Sequence, residues 1–367
     1  MAGLIGCGGA GSAAPGSPAG AHPADPAVPR CDPGPDAAHD GPLSWFHDDY
    51  AAALRCARAQ GKPLVVDMWA PWCHTCLSMK HTVLIDPGLA PLADRFVWLA
   101  IDTDKETNAA VTAKFPPVAW PTFFVVSPDD ETIQARHVGA ASVRQFREVL
   151  GEGERAYLDD KAGTLPAGSP VRLVRDAHRA EARRDWDAAN TLYEQALRVA
   201  PSDWPRRPDV LVSRIGVLYK KGDYPACLAL GAAQAAHTGR AASAADFTSY
   251  AMACTQAVAA QTGDARAGDP LIRQLFARLA SIVDDSGTPL SVDDRADALR
   301  ILREMKALLG DEPAARALAL RQRAMIDAAM KAAPTPFAAM TFAWPASEVY
   351  VYLGLPGELV PVLEKMV

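Results

Sequence analysis

Apolar residues follow two spacings along this chain, one with alternating short strands and one purely helical, and the change falls near residue 170. From Trp45 to Gln60 the residues Trp45, Phe46, Tyr50, Ala53 and Leu54 recur at helical spacing, and Gly61-Lys62-Pro63 stops the predicted helix. Leu64-Val65-Val66-Asp67-Met68-Trp69 is a short apolar run of the kind that forms a buried strand. It leads directly into Cys73-His74-Thr75-Cys76, so the cysteine motif opens the next helix. Phe96 to Ile101 reads as a strand and Lys105 to Lys114 as a helix. Thr122 to Val126, a turn at Pro128-Asp129-Asp130, and Thr132 to Val138 form a predicted hairpin, with a helix from Ser142. Strands interleaved with helices and closed by a hairpin indicate an α/β domain over residues 43–158.

Asp159 to Ser169 is a polar connector containing Gly and Pro, and residues 159–170 are taken as the linker. Beyond it strand signals stop, and Ala, Leu and Arg dominate an all-helical domain over residues 171–367. Asp185-Trp186, Ala189, Tyr193, Ala196-Leu197 and Pro201 reproduce the second helix of a tetratricopeptide repeat. Gly222-Asp223-Tyr224 with Cys227 starts a second copy, and Gly310-Asp311 with Ala315 another. Such units bury their faces only by stacking, so further helical hairpins are expected.

Residues 1–42 are rich in Gly, Ala, Pro and Ser and lack periodicity, which predicts a disordered tether. Within it Leu4-Ile5-Gly6-Cys7 resembles a bacterial lipobox, which implies lipidation at Cys7 and membrane attachment through that anchor alone. A secretion signal needs a basic region and an apolar segment ahead of the cleavage site. Only six residues precede Cys7, so this reading requires a start further upstream, and a chance match is its alternative.

Composition narrows the function classes. The chain has 367 residues, 49% hydrophobic and 22% charged, with a formal net charge of −6, which offers no basic footprint for nucleic acid. No apolar run reaches membrane-spanning length. Seven cysteines are too few for a disulfide scaffold, and only Cys73 and Cys76 form a short-spaced pair. Zinc would need a second ligand pair at comparable spacing, and the sequence has none, so no metal is expected. Cys227 and Cys254 read as buried core thiols, while Cys31 and Cys56 have no partner the sequence names, leaving an accessory disulfide open.

A Cys-x-x-Cys pair at a helix start places its first sulfur beside unpaired N–H groups and the positive end of the helix dipole. Both favour the thiolate, so Cys73 is the expected nucleophile and Cys76 the resolving thiol of a redox-active disulfide that needs no other cofactor. Val66 to Cys76 resembles the active-site strand and loop of the thioredoxin family, and Val118-Ala119-Trp120-Pro121-Thr122 resembles its cis-proline loop. Val138-Gly139-Ala140, ahead of the last helix, also fits. Within the family, Gly61-Lys62-Pro63 and Leu77 to Pro87 are most similar to the C-terminal periplasmic domain of DsbD, and the helix proline of thioredoxin proper is missing after Cys76.

The resemblance implies a thioredoxin fold, with Asp67 a buried acid beneath Cys76 that relays its proton. It implies a cis Pro121 that leaves the preceding backbone free to pair with an extended substrate. Trp72, His74, Thr75 and Trp120 are the candidate substrate-binding residues. A protonated His74 would stabilise thiolate, its alternative being a solvent-facing filler. Trp120 replaces the smaller aliphatic residue usual before the cis proline. The expected activity is protein-disulfide reduction in the periplasm or cell envelope, fed by an upstream thiol reductant, with a helical domain that recruits a protein partner. Two alternatives stand beside it: a cytoplasmic thioredoxin–tetratricopeptide holdase of the CnoX type, and a binding module using the fold only as scaffold.

Overall fold

The computed structural model describes Cys31 and residues 41–117, 119–266 and 268–364. Apart from Cys31, the tether up to residue 40, with the lipidation site at Cys7, and Val118 of the proline loop lie outside the described residues. Five strands form one sheet: β1 Trp45–His47, β2 Leu64–Trp69, β3 Val97–Asp102, β4 Thr122–Val126 and β5 Ile133–Val138. Their order is β1-β3-β2-β4-β5, parallel for the first two pairs and antiparallel for the last two. Around it pack α1 Tyr50–Gln60, α2 His74–Thr82, α3 Ala109–Lys114 and α4 Val143–Lys161.

Alternation along β2 divides the core into two layers. Leu64, Val66 and Met68 join Ala53 and Ala57 of α1, whereas Val65 joins Met79 of α2 and Phe146, Val149 and Leu150 of α4. Asp67, two residues beyond Val65, therefore belongs to the face that carries α2.

Two predicted helices differ from the structure. Trp45 and Phe46 are not helical: they form β1, paired in parallel with Trp98 and Leu99, and α1 starts after the Asp49 cap. Adjacent apolar residues serve a strand here because they reach opposite layers, Trp45 one core and Phe46 the other. The predicted Lys105–Lys114 helix shrinks to α3, preceded by a 3-10 turn at Glu106–Asn108, because the buried Asn108 amide bonds the Asp48 side chain and the Asp102 carbonyl. At the other end α4, opened by a Ser142–Gln145 capping box, continues through Lys161 into the predicted connector.

The rest is helical. Eleven helices follow among the described residues: α5 Pro170–Ala182, α6 Trp186–Val199, α7 Arg207–Lys221, α8 Tyr224–Gln234, α9 Ala242–Thr262, α10 Asp269–Val283, α11 Val292–Leu308, α12 Glu312–Ala332, α13 Pro336–Met340, α14 Ala343–Leu353 and α15 Pro356–Leu363. The three repeat signatures open α6, α8 and α12 in the same way. Asp185, Asp223 and Asp311 each cap the helix by accepting the N–H three residues on. Four residues after each cap stands a wholly buried small residue: Ala189, Cys227 and Ala315.

Cys227 and Cys254 are not free core thiols. They form a disulfide between α8 and α9, with Cα atoms 6.2 Å apart, and Cys31 and Cys56 form another. A small repeat position lets α8 and α9 approach closely enough for that bond. Closing a loop of 27 residues corresponds to about 3.5 kcal/mol by the chain-entropy account. Cys227→Ala/Cys254→Ala is expected to lose about that much in the urea unfolding transition of the helical domain; an unchanged midpoint would remove the bond from the stability account.

The two domains share a buried polar seam along β5, which covers what would otherwise be an open sheet edge. Arg136 of β5 donates to Glu181 of α5 at 2.8 Å, Tyr193 of α6 donates to the same carboxylate at 2.9 Å, and Arg206 donates to the Arg136 carbonyl at 2.8 Å. Such a buried pair is costly to separate, because either partner alone would be an uncompensated charge.

Candidate functional site

β2 ends at Trp69, and the short 70–73 turn delivers Cys73 as the N-cap of α2. Cys73 and Cys76 are disulfide-bonded, with Cα atoms 5.2 Å apart, and the Cys76 N–H points to the Cys73 sulfur at 3.0 Å. That N–H, with the start of the helix, supplies positive potential to a Cys73 thiolate. Both cysteines are nearly closed off: Cys73 is 4% and Cys76 1% exposed. They pack with Ala70, Trp69 and Trp120.

The Trp120–Pro121 peptide is cis, and the Pro121 carbonyl accepts the Gly139 N–H at 2.8 Å. Trp120 and Trp72 meet edge to face with centroids 5.4 Å apart. Each indole N–H is tied to the loop after β3, Trp72 to Asp104 and Trp120 to Thr103, both at 2.8 Å. Trp72 is 58% exposed and forms the open rim of this aromatic wall. Thr103 and Asp104 carried no motif signal; their clue is position, since they leave β3 at the sheet end where β2 delivers the cysteines.

Asp67 is buried on the α2 face, and its Oδ1 has no hydrogen-bond partner. Burial raises its pKa to about 6, partly countered by the charge of Lys80. Lys80 of α2 lies over the Trp69 ring, and its own burial lowers its pKa to about 8 against the pull of Asp67. An acid that changes protonation near neutrality can take and return a proton during exchange.

His74 is neither open to solvent nor free. Its Nδ1 lies 2.8 and 3.0 Å from the two carboxylate oxygens of Asp293, at the start of α11 in the helical domain. Ser78 reaches Ser291, the α11 cap, at 3.4 Å. Thr75, the other intervening residue, lines a cavity between the domains. Asp293 was invisible to sequence reasoning because 219 positions separate it from its partner.

Burial alone would lower the His74 pKa, but the Asp293 hydrogen bond and charge outweigh it and raise it. Asp293 is raised too, by a burial cost that His74 only partly offsets. Two carboxylate oxygens on one ring nitrogen favour the charged pair. The stabilisation from protonating His74 is therefore complete below its ordinary value of 6.5 and is lost as pH rises through the raised one. In Asp293→Asn the His74 titration followed by NMR is expected to move to lower pH; an unmoved midpoint would rule out the interdomain pair.

Among the described residues no group of three or more His, Cys, Asp or Glu is placed to hold a metal ion, and no helix is long and apolar enough to cross a membrane. Residues 45–128 match a family model described as thioredoxin-like. A thiol:disulfide interchange protein DsbD from Pseudoalteromonas atlantica is 29% identical over 103 residues, 28% of this chain and 17% of that protein. DsbD of Yersinia pestis is 32% identical over 97 residues, 26% of this chain and 16% of that protein. The match thus spans about a sixth of the length of these relatives. A thermophilic TPR protein of Thermus thermophilus covers 54% of this chain and 90% of its own, at 21% identity and a TM-score of 0.33. The N-terminal domain of this chain is thioredoxin-like, and a mostly helical region follows it.

Proposed function

We propose that this protein is a thiol–disulfide oxidoreductase whose Cys73–Cys76 pair reduces protein disulfides in the cell envelope. The observation that carries the reading is the cysteine pair at the start of α2, on the sheet face of buried Asp67 and beside the Trp120–Pro121 loop. Cys73 attacks a substrate disulfide, a mixed disulfide forms, and Cys76 then displaces the substrate thiol. The similarity to DsbD over the same residues supports this chemistry. Two cystines remote from the redox pair support a compartment where disulfides persist, and so favour the envelope over the cytoplasmic holdase reading. Exposed Phe337, Trp344 and Val351 support a partner-binding role for the helical region.

The test is the reduction potential of the pair. The full chain is equilibrated in glutathione buffers, alkylated, and the Cys73–Cys76 peptide quantified by mass, which leaves the other cystines out of the reading. A value near about −270 mV supports a reductase, and one near about −120 mV reverses the direction to oxidant. A pair that never oxidises in any buffer would end the reading.

A further inference from the structure

The cysteine pair is nearly closed to bulk solvent, yet the space beside it is not filled. A cavity of about 240 Å³ lies between the two domains. Thr75, Ala119 and Trp120 form its redox-site wall, and Trp120 also packs against both cysteines. The helical domain supplies the opposite wall, including Glu181, Lys220, Asp246, Asp294, Asp297 and Arg300. Drug-sized pockets run to about 300–1,000 Å³, so this one suits a ligand somewhat smaller than a drug.

Most of the lining charges are already spent on one another. Glu181 is held by Arg136 and Lys220, Asp297 by Arg300, and Asp294 by the Ser291 N–H. One group is left over. The Asp246 carboxylate has no hydrogen bond or ion pair among the described residues, although it is within reach of Gly139, where an added Cβ would come within 3.3 Å of its Oδ2. Asp246 is half-buried, and a carboxylate turned partly from bulk water without a partner is better satisfied when something else supplies one. The cavity thus offers one free acceptor suited to a cation.

We propose that this cavity binds an ammonium-bearing low-molecular-weight disulfide of the cystine class, Asp246 receiving its ammonium, so that its sulfurs face the cysteine pair past Trp120. The proposal rests on the oxidoreductase reading and names a redox partner for that site. The Cys73 thiolate attacks one ligand sulfur, the ligand S–S bond breaks, and the first cysteine leaves as a thiolate that takes up a proton. Cys76, its proton passed to Asp67, then attacks the Cys73 sulfur; the mixed disulfide breaks and the second cysteine leaves with that proton. One cystine is reduced to two cysteines as the Cys73–Cys76 dithiol is oxidised to the disulfide.

The experiment compares oxidation of the reduced full-length chain by cystine and by the neutral bis(2-hydroxyethyl) disulfide, and titrates the Cys73→Ser/Cys76→Ser chain with cystine by calorimetry. The expected result is saturable oxidation by cystine, at least about ten times faster than by the neutral disulfide, and a measurable heat of binding. In Asp246→Asn the ratio should fall towards one and the heat should vanish. That variant is expected to fold, because burial and the like charges of Asp294 and Asp297 already push the Asp246 pKa up to about 7; a thermal melt checks it. Equal rates for the two disulfides, or binding indifferent to Asp246→Asn, would overturn the proposal while leaving the oxidoreductase reading standing. Cystine that binds to a chain reducing neither disulfide would overturn that reading and leave the site.

Discussion

Replacing Cys73 with Ser is expected to lower disulfide exchange by on the order of 1,000-fold or more, because the hydroxyl that remains is not ionised at neutral pH. Exposure does little to distinguish the two sulfurs, at 4% and 1%. Position does: Cys73 is the α2 cap and receives the Cys76 N–H at 3.0 Å, whereas Cys76 lies within the helix. The converse variant, Cys76→Ser, should attack normally and then stall, accumulating one equivalent of mixed disulfide on Cys73. Intact-mass measurement after exposure to a disulfide substrate distinguishes the two. A stable adduct on Cys76 in Cys73→Ser, formed as fast as in the wild type, would reverse the assignment of roles.

The parts of this molecule legible in sequence are those encoded over a few residues. β2, the cysteine helix, the β4–β5 hairpin and the capped start of α4 each carry their own pattern, so their order could be read directly. β1 could not, because three residues cannot show a period, and Trp45-Phe46 fits a helical stripe as well as a strand that feeds two layers. The Cys227–Cys254 cystine escapes sequence for a related reason: Cys227 stands at a small-residue repeat position, and only the packing of α8 on α9 shows that it faces Cys254.

The candidate site divides along the same line. Its cysteines, acid and cis proline lie on one continuous motif or its partner loop. Asp293, Asp246 and the charged wall of the cavity come from helices that meet the motif only after both domains fold. The His74–Asp293 contact therefore belongs to the assembled chain, and tertiary contacts separated by more than 200 positions leave no local trace.

Asp67→Asn is expected to make the protein more stable and less active at the same time. In the folded chain the acid titrates at about 6 instead of 3.8, a shift of about two units, mainly because β2 buries it without a hydrogen-bond partner for Oδ1. The sign follows from linkage: below pH 3.8 both folded and unfolded chains hold the proton, and Asp67 carries no penalty. As pH rises, the unfolded chain ionises first, so stability falls until the folded acid also ionises near pH 6 and stays lower above it. At 1.36 kcal/mol per unit the deficit at pH 7.5 reaches about 3 kcal/mol, less whatever the buried asparagine amide loses by lacking an acceptor. Urea unfolding should show the variant ahead at pH 7.5 and level at pH 3.5. The rate moves the other way. Without a carboxylate to take the Cys76 proton, resolution of the mixed disulfide should slow by about 100-fold, and the inflection near pH 6 should disappear from its pH profile. A variant that is less stable at pH 7.5 and resolves at the wild-type rate would make Asp67 an ordinary structural carboxylate, its charge satisfied by Lys80.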